Sequence, residues 1–75
     1  MSGTLDKLVR MANQIATEFA NQQPARAADA TSEHLRQFWD PRMRQAITAH
    51  LAAGGAGLGD IAREAIGRLD PTSAG

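Results

Sequence analysis

Apolar residues in this chain recur at spacings of three and four in four separate segments, and no stretch alternates with a period of two. The first spacing puts side chains on one face of a helix, and the second would have marked a half-buried strand. The first segment spans about residues 5–21. Leu5, Leu8, Ala12, Ile15, Ala16 and Phe19 share its inner face, and Asn13, Gln14 and Thr17 take the wet side. Thr4 is placed to cap it, and Asp6 lies where the helix dipole favours a carboxylate. The second, about 24–39, opens at Pro24, which suits a first helical turn. It carries Ala27, Ala28, Leu35, Phe38 and Trp39. Thr31 interrupts that stripe, so Asp29 and Ser32 remain alternative caps.

The third segment, about 41–53, has the sharpest start. Asp40 offers an N-cap carboxylate and Pro41 a preset first-turn φ. Met43, Ile47, His50 and Leu51 form its stripe, and Gly54-Gly55 supplies a C-cap and a flexible joint. The fourth, about 58–69, carries Leu58, Ile61, Ala62, Ala65, Ile66 and Leu69, and Asp70-Pro71 stops it. The expected fold is all-α: a small bundle of three to four short helices, with one helix free to swing out or to form a dimer. Residues 5–69 make a single helical domain between a flexible N-terminus, 1–4, and a frayed tail, 70–75.

With 75 residues and an apolar content rich in Ala, the core is thin. There is no Cys to staple it, which leaves oligomerisation or a larger partner as support. The eight acidic and eight basic side chains cancel. Nucleic-acid binders carry a basic excess, so that class is set aside. Zero net charge also removes repulsion as a barrier to self-association, so a homodimer of the isolated chain is compatible with the sequence. The absence of Cys excludes disulfides and thiolate metal sites. No apolar run approaches the length of a membrane span, and the polar faces lack the Lys-rich character of a membrane-surface helix. The N-terminus has no signal-peptide core, so the chain is read as cytoplasmic.

Catalytic chemistry finds little purchase. His34 and His50 are the two His, and neither belongs to an H-E-x-x-H pattern. The carboxylates are dispersed, and Asp29 and Glu33 share a face where like charges repel mildly. AAGGAGLG lacks the spacing and the preceding strand of a nucleotide-binding loop. The chain is read as non-catalytic, binding no metal or cofactor itself.

What remains is HLRQFWDPRMRQAI, residues 34–47. Phe38 and Trp39 are adjacent, so on one helix they point about 100° apart. Both are inside only if the second helix ends within the bundle; otherwise one projects, as interface anchors do. Arg36, Arg42 and Arg44 surround the pair, with Asp40 nearby to offset them. A solvated face and a docking surface for an acidic or phosphate-bearing partner both fit.

The same residues carry a resemblance. LVRMANQIATEF from Leu8, HLRQFWDPRMRQAI from His34, AHLAAGGAGL from Ala49 and IAREAIGRL from Ile61 together resemble the delta subunit of the soluble NAD-dependent, molybdenum- or tungsten-containing formate dehydrogenases. The resemblance covers about residues 5–69, and the central motif is its most specific part. It implies an accessory subunit of a cytoplasmic complex. In that complex the alpha subunit carries molybdopterin guanine dinucleotide with Mo or W and iron–sulfur clusters and oxidises formate. The beta and gamma subunits carry FMN and further iron–sulfur clusters and reduce NAD. The delta subunit supports stability or cofactor insertion. It also implies that Phe38, Trp39, Arg42 and Arg44 form or scaffold the surface that docks on the alpha subunit, with His34 and Arg36 lining the same turn. Asp40 and Pro41 set the direction of the third helix, and Gly54 and Gly55 end it. A stand-alone helical interaction module is the competing reading.

Overall fold

The computed structural model describes residues 3–69. Four helices fill it: α1 (Gly3–Glu18), α2 (Pro24–Phe38), α3 (Pro41–Ala52) and α4 (Asp60–Leu69). No strand occurs among the described residues, and the fold is a small all-α bundle. No helix is swung out: α1 packs on α2, α3 and α4, and α2 and α4 share the most extensive contact. The expectations for residues 1–2 and for the tail from 70 onward lie outside the described residues.

Each boundary has a local cause. α1 begins earlier than its stripe, so Thr4 lies within the helix rather than capping it. It ends at Glu18, where Phe19, Ala20 and Gln22 donate their N–H groups to the carbonyls three residues back. That 3₁₀-type tightening satisfies carbonyls left without a helical partner. α2 starts at Pro24, with Gln23 as an N-cap that makes no side-chain bond, and neither Asp29 nor Ser32 caps it. Thr31 interrupts the stripe but is fully buried, because its hydroxyl donates to Ala27 O at 2.7 Å.

At Asp40-Pro41 the local chemistry acts as its residues require. Asp40 Oδ1 accepts from Met43 N at 3.0 Å, and Pro41 is the first helical residue of α3. α3 closes in a Schellman motif: Gly55 N donates to His50 O at 2.9 Å and Gly54 N to Leu51 O at 3.0 Å. Gly54 and Gly55 have φ of 122° and 66°, a region that disfavours side chains. α4 starts at Asp60 rather than Leu58, since Gly57, at φ 87°, and Gly59 hold the chain in a loop. Leu58 nonetheless reaches the core from that loop.

The core gathers Leu8, Ala12 and Ala16 of α1, Leu35 and Trp39, Ile47 of α3, Leu58, and Ala62, Ile66 and Leu69 of α4. Met43 and Leu51 pack against its edge. Truncating one of its large members costs about 2–5 kcal/mol, a sizeable part of a small domain's stability.

Candidate docking surface

The Phe38-Trp39 pair is divided by the end of α2. Phe38 is its last residue, and Trp39 leaves the helix with φ −93° and ψ 139° while its N–H still reaches Leu35 O at 2.9 Å. That change of direction turns the indole inward, where it is 5% exposed, and leaves Phe38 69% exposed. Trp39 therefore belongs to the core, and its indole is not presented to solvent. Phe38 is the exposed large hydrophobic residue of the described chain.

Phe38 does not stand alone. One turn back, the His34 ring lies 4.7 Å from it at an interplanar angle of 38°. Phe19, in the turn after α1, meets the other side of His34 edge-on at 6.4 Å. The i, i+4 spacing of His34 and Phe38 makes them neighbours on the helix surface. The three rings form an aromatic ledge that joins α2 to the turn after α1 and shows water its outermost member.

The arginines sort into two kinds. The Arg36 guanidinium meets Glu33 at 3.3 Å and donates to Arg68 O at 3.2 Å, near the end of α4. Arg44 donates to Arg36 O at 3.1 Å, near the end of α2. Terminal helix carbonyls have no amide to accept from, and these two side chains supply the missing donors. Arg44 therefore has a partner within the chain. Arg42 has no partner among the described residues and is exposed. The nearby Asp40 carboxylate accepts from Met43 N in its cap, and Arg42, four residues beyond Phe38, forms no ion pair among the described residues.

A further arginine ties α2 to α4. Arg68 bonds Asp29 and Ala25 O on α2 and Glu64 on its own helix. The hydrogen bonds to Glu64 and Asp29 hold its guanidinium above its ordinary, already high value.

The loop between α3 and α4 is pinned by residues whose role is not visible in local sequence. Asn13 Nδ2 donates to Gly57 O and Asn13 Oδ1 accepts from Gly59 N, both at 2.8 Å. His50 Nε2 bonds Ala56 O at 2.8 Å, and Arg63 donates to Gly55 O at 3.0 Å. Asn13 sits beside the buried Ala12 and Ala16, which marks it as a boundary residue. Its partners lie more than forty positions away, beyond any spacing rule.

No group of three or more His, Asp or Glu able to hold a metal forms among the described residues. No described helix is long and apolar enough to cross a membrane. A family model described as "NADH-dependant formate dehydrogenase delta subunit FdsD" matches residues 7–66. No curated protein and no solved structure matches the chain.

Proposed function

Since the chain belongs to the NADH-dependant formate dehydrogenase delta subunit family, FdsD, we propose that it docks on the catalytic subunit of a cytoplasmic formate dehydrogenase complex through the ledge of Phe38, His34 and Phe19. It is an accessory subunit and contributes no redox centre. The catalytic subunit supplies formate oxidation at its molybdopterin and iron–sulfur centres, and this chain supports assembly, stability or cofactor insertion there.

The observation that carries the docking reading is the exposure of Phe38 beside an otherwise well-buried Trp39. A small domain with few aromatic side chains gains more by burying them. Leaving one outside, stacked on a histidine and followed by an unpaired Arg42, matches the aromatic-plus-arginine make-up of interface anchors. Arg42 favours a carboxylate on the opposing surface.

The same ledge supports a second reading, in which two copies of the chain pair through Phe38, helped by zero net charge. Reconstitution separates the two. Complex purified from cells lacking the chain should show lower formate-dependent NAD+ reduction or lower metal content, and adding the chain during maturation should restore it. Unchanged activity, metal content and assembly without the chain would overturn the accessory role.

A further inference from the structure

A groove of about 570 Å³ lies between α1 and the segment leading into α4. Its floor is small and apolar, with Ala16, Leu58 and Ala62 all nearly out of contact with water. Its wall is held in place, because Asn13 grips Gly57 O and Gly59 N across the opening. The groove therefore does not close by simple relaxation of a glycine loop.

Asp60 contributes the one formal charge that lines it. No cation or hydrogen-bond donor among the described residues meets this carboxylate. Among the described carboxylates, Asp29, Glu33 and Glu64 are paired with arginines and Asp40 caps α3, while Asp6 and Glu18 of α1, like Asp60, are exposed and unpaired. The position of Asp60 at the start of α4 is favourable for the helix dipole in its own right. The dipole explains an acidic residue there, but not an open apolar slot maintained beside it.

We propose that this groove receives a Lys or Arg side chain of the catalytic subunit, with its methylene stem over Ala16 and Ala62 and its charged head on Asp60. Long cationic side chains bury their stems against apolar surface and keep their heads at polar groups. An anionic or acidic occupant would be repelled by Asp60. A purely apolar one would cover a carboxylate without a counter-charge, which is unfavourable. Ala20, which lines the groove, directly follows Phe19 of the aromatic ledge in the chain. The inference rests on the docking reading above and adds the chemistry of the partner's contact.

The test is titration of fluorescently labelled chain into complex purified without it, at low and high salt. Asp60→Asn should weaken binding about 3- to 10-fold at low salt and flatten the salt dependence, and Asp60→Arg should weaken it more than about 30-fold. Ala20→Trp, which obstructs the groove and leaves the start of α4 intact, should weaken it about 10-fold or more. Circular dichroism confirms that each variant is folded. Wild-type chain that binds, with Asp60→Arg and Ala20→Trp binding within twofold of it, overturns the groove proposal and leaves the docking reading standing. Wild-type chain that does not bind overturns both. A wild-type dimer that dissociates on Asp60→Arg substitution would assign the groove to a second copy's Arg42 and overturn the partner named here.

Discussion

Replacing Phe38 with Ser removes the outermost ring of the ledge and almost nothing from the core. A Phe presents about 200 Å². At 69% exposure, about 140 Å² remains for a partner to cover. At about 25 cal/mol per Å², full coverage is worth about 3.5 kcal/mol and half coverage about 1.7 kcal/mol. The expected loss of affinity for the complex is thus about 15- to 300-fold. In the free chain, the ring contact that Phe38→Ser gives up is the one with His34. An aromatic pair contributes about 0.5–1.5 kcal/mol, and an exposed one belongs at the lower end. Urea unfolding should therefore place the variant within about 0.5–1 kcal/mol of the parent. The affinity is read by titrating labelled chain into complex lacking it, and the stability by far-ultraviolet circular dichroism. Unchanged affinity would refute the ledge as the docking surface. A stability loss of about 3 kcal/mol or more would refute the assignment of Phe38 to the outside.

Trp39→Ala should behave in the opposite way, destabilising the chain by about 3–5 kcal/mol. That is a large share of the roughly 4–11 kcal/mol available to a domain of this length. The measurement again uses circular dichroism, because the substitution removes the sole Trp, and a loss below about 1 kcal/mol would contradict its place in the core. Asn13→Ala removes two cross-chain hydrogen bonds and should cost about 1–2 kcal/mol. Asn13→Asp keeps the acceptor for Gly59 N but loses the donor to Gly57 O, so it should recover only part of the difference. Melting curves that coincide for all three chains would show that the loop does not depend on Asn13.

The helices were legible because their signals are local. Asp40-Pro41 and Gly54-Gly55 act within one turn of themselves, and the Schellman bonds to His50 and Leu51 follow from a glycine pair after an apolar stripe. The division of Phe38 from Trp39 was legible only as a choice. Periodicity states that two neighbours diverge, but which one faces inward depends on whether the helix ends at residue 38 or 39. The structure ends it at 38, and the extended Trp39 turns in. Leu58 shows the same limit: its spacing fits the α4 stripe, yet it fills the core from a loop. The arginines were legible as a cluster but not as individuals. Whether Arg44 meets solvent, a partner or the Arg36 carbonyl depends on the angle between α2 and α3, which no residue type encodes. The apolar stripe of α1 leaves Asn13 on the wet side. Its role depends on partners more than forty residues away.

α2 and α4 turn Ala27, Ala28, Ala62 and Ala65 inward, each essentially without solvent contact. Alanine has no side-chain rotamers to lose on burial, whereas a long side chain forfeits up to about 2 kcal/mol of such freedom. The seam between these helices thus orders its backbone with almost no additional side-chain entropy to overcome. It has correspondingly little slack: a methyl group cannot swing aside, so one added carbon must be met by moving a whole helix. A chain this small is stabilised by having little to freeze, and the same property leaves its seam unable to accommodate growth.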